Sequence, residues 1–179
     1  MRGLVAFDAV SKAWQLPPES RPTKLLLSTR IGLWVSRTLL SLAPKQTIAQ
    51  TLVAEGSLTK DELGTRVSDV LADEKKKRFV LDLDVTVSYR RPRKAGFEND
   101  VAQFRVIDSL GLEHIETPCL IVHGSADTDV IPAHGENAAS TIPNAELLLR
   151  ERGTHLCLYT HPDADAAQAR ALEYLGRSG

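Results

Sequence analysis

The most constraining feature of this chain is the run Thr117-Pro118-Cys119-Leu120-Ile121-Val122-His123-Gly124-Ser125-Ala126-Asp127-Thr128-Asp129-Val130-Ile131-Pro132. A proline has no backbone N–H to give and suits the first position of a strand. The four residues after it are apolar without alternation, the mark of a strand covered on both faces of a parallel sheet. Gly124 then permits a tight turn off the sheet's carboxyl edge, and Asp127 arrives just past it. A second strand-like run, Ala145 to Leu149, leads into Gly153-Thr154-His155, 28 positions beyond Asp127. Chemistry in parallel α/β sheets collects at that edge. The spacing therefore predicts an acid and an imidazole on one rim.

Gly3-Leu4-Val5-Ala6-Phe7 reads as a further strand buried on both faces, stopped at Asp8-Ala9-Val10-Ser11. An uncovered parallel strand at the start of a chain is an aggregation hazard. More of the sheet is therefore expected ahead of it. Pro118 to Pro132, then Ile142-Pro143-Asn144-Ala145-Glu146 and Gly153-Thr154-His155, together resemble the carboxy-terminal third of an α/β-hydrolase-fold enzyme. The likeness covers residues 1–10 and 97–176 well and the middle loosely. It implies a partial α/β-hydrolase fold, with about three parallel strands flanked by helices and a helical cap inserted after the first strand. It also implies that Asp127 is the acid and His155 the general base of a catalytic triad, in the chain order nucleophile, acid, histidine. Asp129 is the near competitor, and the resemblance selects Asp127.

Arg2 to Ala9 resembles the strand that follows the nucleophile strand and its helix, so the nucleophile-bearing half is expected upstream of Met1. No serine here stands in Gly-x-Ser-x-Gly. Ser125 sits on the acid's own turn, without the sharp elbow that exposes a nucleophile beneath backbone donors. The chain is thus expected to be inactive alone, as the carboxy-terminal part of an esterase-like or related hydrolase. Whether the missing nucleophile is serine or aspartate, as in dehalogenase-like and epoxide-hydrolase-like relatives, stays open. The alternative is a non-catalytic binding or interaction module derived from the same fold, pairing with a partner or a second copy along Gly3–Phe7.

Three parts are expected: residues 1–16 as first core strand and loop, 17–110 as a helical cap, and 111–179 as the α/β core with the acid and histidine loops. Pro17-Pro18-Glu19-Ser20-Arg21-Pro22 reads as a linker. Thr23 to Leu42 has the apolar spacing of an amphipathic helix, and a second helix is expected from Lys45 to Glu55, with Gly56 as its stop. Thr59-Lys60-Asp61-Glu62 is a capping box opening a third. Phe79 to Tyr89 fits strand alternation and helical spacing alike, and the resemblance favours a cap helix. Gly96-Phe97-Glu98-Asn99-Asp100 is expected to open a helix with Asn99 or Asp100 as its cap. Further helices are expected over His134–Thr141 and Asp163–Leu175, the latter turning Ala167, Ala171, Leu172 and Leu175 to the sheet.

Charge is nearly balanced, 22 basic against 23 acidic side chains. No long-range field favours nucleic acid or an anionic membrane, and nothing approaches the about 18 apolar residues of a membrane span. Lys75-Lys76-Lys77-Arg78 and Arg90-Arg91-Pro92-Arg93-Lys94 read as solvated faces, since no aromatic is interleaved with them. Cys119 and Cys157 are expected as buried reduced thiols, which suits a cytoplasmic setting. His123 reads as a hydrogen-bonded strand-end residue, and His114, His134 and His161 as surface residues. No histidine pair has metal-site spacing. The expectation is a small-molecule substrate once the missing half is supplied, with no cofactor and no metal.

Overall fold

The computed structural model describes residues 3–15, 42–86 and 93–176. Three parallel strands, β1 (Leu4–Phe7), β2 (Cys119–Gly124) and β3 (Ala145–Arg150), form one sheet in the order β1-β2-β3. Seven helices accompany them among the described residues. These are α1 (Pro44–Ala54), α2 (Lys60–Ala72), α3 (Glu74–Thr86), α4 (Arg93–Arg105), α5 (Ala133–Thr141), α6 (Cys157–Thr160) and α7 (Ala164–Gly176), with a 3-10 turn at Leu112–His114. The linker expected over Pro17–Pro22, and the helix expected over Thr23–Leu42 but for its last residue, lie outside the described residues.

β2 is the central strand and all six of its residues are buried. Side chains alternate across a strand, so β2 feeds two cores. Leu120 and Val122 meet Cys157, Leu158 and Ala167 on one face. Cys119 and Ile121 meet Ala138 and Ile142 on the other. β1 and β3 have a described neighbour on one side only. Most of their residues are half-buried and Phe7 is exposed, so the expectation that Gly3–Phe7 is buried on both faces is corrected.

On α7 the face toward the sheet is Ala164, Ala167, Ala171 and Tyr174, an i, i+3, i+7, i+10 stripe. Leu172 is one position off that stripe and 70% exposed, and Leu175 is exposed too. The expectation that these two leucines face the sheet is corrected.

Helices α1 to α3 make a separate core from Ile48, Leu52, Val67, Val70 and Val80, with Phe79, Leu63 and Leu71 against it. The capping box at α2 forms as the sequence predicts: Glu62 N–H donates to Thr59 Oγ1 at 3.3 Å and Thr59 N–H to Glu62 Oε2 at 2.7 Å. Of the ambiguous segment, Phe79–Thr86 lies in helix α3, and residues 87–89 lie outside the described residues. Asp73 Oδ1 accepts from the N–H groups of Lys75 and Lys76 at 2.8 and 3.1 Å, which satisfies free donors at the helix start. Val80 is then fully buried in the core of α1 to α3. Helix α4 begins at Arg93, so Asn99 and Asp100 stand inside it and not at its cap. Its last turn is held by Trp14, whose N–H donates to Phe104 O at 2.9 Å and whose ring meets Phe104 edge to face. The Lys75–Arg78 run is solvated only in part, because Lys76 Nζ donates to His161 O at 3.1 Å and ties α3 to the end of α6. No helix among the described residues is long and apolar enough to cross a membrane.

Leu120→Ala, in a fully buried site, is expected to cost about 2–5 kcal/mol in urea unfolding. Leu172→Ala should cost less than about 0.5 kcal/mol. Equal losses would contradict the face assigned to α7.

Candidate functional site

Parallel pairing puts Gly124 opposite Arg150, so the loops leaving β2 and β3 depart from the same level of the sheet. They are laced together by backbone. Ser125 N–H donates to Arg150 O at 2.9 Å and Ala126 N–H to Gly153 O at 2.7 Å. Arg152 N–H donates to Ser125 Oγ at 2.8 Å. A Cβ at Gly124 would run into the Gly153 carbonyl, so glycine is needed there for the close approach.

This lacing delivers Asp127 to His155. Asp127 is 3% exposed, and its two oxygens have separate tasks. Oδ1 accepts from the N–H groups of Asp129 and Val130 at 2.9 and 3.0 Å, and Oδ2 lies 2.9 Å from His155 Nδ1. A carboxylate held this way fixes the proton on Nδ1 and leaves Nε2 as the working nitrogen. The His155 side chain keeps 26% of its surface open. Asp129 Oδ2 is 3.8 Å from Nε2, so Asp129 serves the other edge of the ring while Asp127 holds Nδ1. Ser125 Oγ is engaged as the acceptor for Arg152, inside the acid's turn.

Behind the pair lies a buried layer that spacing arguments missed. His123 is completely buried, with Nε2 2.8 Å from Val130 O, 3.5 Å from Asp127 Oδ2 and 4.0 Å from Asp8 Oδ1. Gly135 permits this packing, since a Cβ there would lie 2.8 Å from His123 Nδ1. Asp8, at the carboxyl end of β1 with a left-handed φ of 45°, accepts from Gly124 N–H at 3.0 Å. The Cys157 thiol donates to its other oxygen at 3.5 Å. The only signal for Asp8 was its position as the first polar residue after β1. The segment between α1 and α2 also reaches the pair. His155 N–H donates to Glu55 O and Ser57 N–H to Ala126 O, both at 2.8 Å, and Gly56 makes an antiparallel bridge with Asp127.

Two of the histidines expected at the surface are buried. His134 Nδ1 accepts from Ser11 N–H at 3.2 Å, and its carbonyl accepts from Ser11 Oγ at 2.6 Å. His161 spans Glu151 O and Asp163 N–H. His114 is exposed, as expected. Both cysteines are buried and free. Burial, with the Asp8 carboxylate next, pushes the Cys157 thiol well up and keeps it protonated.

The sequence shows no metal-site spacing, yet the fold gathers two sets of ligand-type atoms within 4.8 Å of one another: Asp8, His123 and Asp127, and Glu55, Asp129 and His155. In the first set Asp127 and His123 already spend these atoms on bonds within the protein. A hollow of about 300 Å³ adjoins the acid turn, lined by Trp14, Asp129, Ile131 and His134 among others. A larger one of about 620 Å³, between α2, α3, α6 and α7, does not touch Asp127 or His155.

The solved structure of an alpha/beta hydrolase fold protein from Nakamurella multipartita matches the whole chain with a TM-score of 0.93 and 39% identity. The chain belongs to the α/β-hydrolase fold superfamily. It spans 62% of the length of that protein. The enol-lactonase from Burkholderia xenovorans LB400 aligns at 16% identity and a TM-score of 0.61, over 98% of this α/β-hydrolase chain and 56% of its own. The esterase RhEst1 from Rhodococcus sp. ECU1013 aligns at 13% and 0.54, over 99% and 57%. These last two speak to the fold alone. No protein-family model and no curated protein matches the sequence.

The site's electrostatics set a pH dependence. Burial pulls the His155 imidazolium down, but the Asp127 hydrogen bond and the charges of Asp127, Asp129 and Glu55 outweigh it and hold His155 at about 9, above its ordinary 6.5. Burial raises Glu55 to about 7 against an attraction to His155. Burial likewise raises Asp8 to about 6, partly offset by its bond from Gly124. All three bind protons more tightly in the folded chain. Their contribution is complete below the unfolded values and is lost as pH rises through about 6, 7 and 9 in turn. Buried His134 and His161, which burial holds below their ordinary 6.5, act the other way and gain stability as pH rises through that value, so the urea midpoint is expected to fall from pH 7 to pH 9. His155→Gln should flatten the part of that fall above pH 7. A midpoint that rises over this range would refute the charge assignment.

Proposed function

We propose that this chain supplies the acid and the base of a hydrolytic α/β-hydrolase site whose nucleophile is carried by a part of the fold the chain does not contain. The observation that carries the reading is the 2.9 Å bond between Asp127 Oδ2 and His155 Nδ1 at the carboxyl edge of the sheet, with the acid's other oxygen pinned by two backbone donors. The described residues among 17–110 serve as the cap of that site, and those among 111–179 as the core that presents the pair.

The chemistry follows from Nε2, the ring nitrogen that Asp127 leaves open, acting in the share of His155 that has given up its second proton, a share that grows as pH rises toward about 9. With a serine nucleophile, the hydroxyl oxygen attacks the substrate carbonyl while Nε2 takes its proton. The same proton then passes to the leaving alkoxide as the C–O bond breaks, and water repeats the sequence to free the acid. With an aspartate nucleophile, a carboxylate oxygen attacks a saturated substrate carbon and forms an ester as the carbon's bond to a halide or an epoxide oxygen breaks and that group leaves with the electron pair. His155 takes a proton from the water that then cleaves the ester. In both versions Asp127 stays ionised and steadies the imidazolium. The substrate class is a small ester or another molecule open to nucleophilic displacement.

The test is to search the coding DNA ahead of residue 1, and its neighbouring reading frames, for a strand, a Gly-x-Ser-x-Gly (or Asp) elbow and a helix, and to co-express that segment with the chain. The chain alone should leave p-nitrophenyl acetate at its background rate, and the combination should hydrolyse it. His155→Ala and Asp127→Asn should each lower kcat by roughly 10⁴-fold. Full turnover by the His155→Ala combination would sink the assignment.

A further inference from the structure

Asp127 accounts for one edge of the His155 ring. The ring also meets acids from two different elements. Glu55, the residue that follows α1, and Asp129, on the turn after β2, each bring a carboxylate oxygen within 4.8 Å of a His155 ring nitrogen and of each other. With Nδ1 bonded to Asp127 and Asp129 Oδ2 3.8 Å from Nε2, Asp129 lies on the side where a nucleophile would have to surrender its proton, and Glu55 stands within reach of both.

The placement of Glu55 is fixed by backbone. Its carbonyl takes the His155 N–H at 2.8 Å, the next residue bridges to Asp127, and Ser57 N–H closes onto Ala126 O. Gly56 packs on Thr154 so tightly that a Cβ would strike its side chain. Arg152, three residues before His155, grips the same segment, donating from its guanidinium to Ser57 O at 2.7 Å and to both oxygens of Glu62. The end of α1 cannot drift from His155 without breaking these contacts.

The geometry points to Glu55 as a positioning residue of this site, a carboxyl delivered by the cap that, with Asp129, keeps a proton on the Nε2 edge of His155. The inference rests on His155 being the base, and it adds that the cap sets that base's strength. The groups facing the ring are Asp127 and Asp129 from the β2 turn, Glu55 from the cap and, further back, Asp8 from the end of β1. Glu55 itself is held at about 7, chiefly by burial. Its charge is therefore partly expressed at neutral pH, and the grip on the Nε2 proton tightens as Glu55 ionises.

The 179-residue chain itself can be tested. Histidine Cε1–H resonances, with His155 assigned by the His155→Gln variant, are followed through a pH titration in the unaltered chain and in Glu55→Gln, Asp129→Asn and Asp127→Asn. Glu55→Gln is expected to lower the proton affinity of His155 about tenfold, and Glu55→Asp, which keeps the charge on a shorter arm, to recover part of it. An unmoved His155 midpoint in Glu55→Gln overturns the proposal. If Glu55→Gln does not fold, the unaltered chain decides. The Glu55 carboxyl carbon should titrate near 7 with a matching inflection at His155, and its absence overturns the proposal equally. Asp127→Asn separates this inference from the one beneath it. A shift there with none in Glu55→Gln leaves the acid–base pair standing and removes Glu55, and the reverse removes the pair and keeps the cap carboxyl.

Discussion

The backbone lacing of the β2 turn to the β3 loop is the constraint on which the rest of the structure depends. Ala126 N–H on Gly153 O and Ser125 N–H on Arg150 O are possible because Gly124 has no side chain to hold the loops apart. Once they form, Asp127 and His155 have no independent freedom. Ordering a flexible carboxylate against an imidazole costs side-chain entropy, and here the backbone has already met most of that cost. The same lacing leaves Ser125 Oγ as an internal acceptor, which is why that serine is a structural part of the turn.

The parts of this architecture legible in the sequence are those specified by local pattern. β2 announces itself because a central parallel strand must be apolar on both faces, and Thr59 with Glu62 forms the capping box that its spacing promises. An acid and His155 could be placed because each follows a strand by a short turn, so topology brings them to one edge, while the resemblance chose Asp127 over Asp129. The α3 segment was ambiguous because Phe79, Leu83 and Val87 satisfy two periods at once. The deciding residue, Asp73, lies outside the window in which the periods were compared. Leu172 shows the converse error, where hydrophobicity was taken for direction while the stripe through Ala167 and Ala171 had already filled the face on the sheet.

What sequence could not supply is the assembly of groups distant along the chain. Asp8 meets Gly124 across 116 positions and Ser11 meets His134 across 123, and no spacing rule reaches so far. The burial of His134 follows from that second contact, since Ser11 offers both a donor for its ring and a hydroxyl for its carbonyl. The missed residues share a physical signature: polar side chains held inside by partners from another strand end. Burying such groups unpaired would cost several kcal/mol, so their pairing is what makes their burial tolerable.

The α1–α2 junction does more than pack beside this edge. Segment 55–57 threads between the acid turn and the histidine loop, bonded to both, and Arg152 adopts a left-handed backbone, φ 54°, while its guanidinium reaches Glu62 and Ser57. A non-glycine residue in that region carries strain, which the bidentate ion pair and the Ser125 contact offset. Swinging the α1–α2 junction away from this edge would break the pair, release the strain and strip His155 of its backbone bond in one step. The junction is therefore held as a fixed wall beside Asp127 and His155.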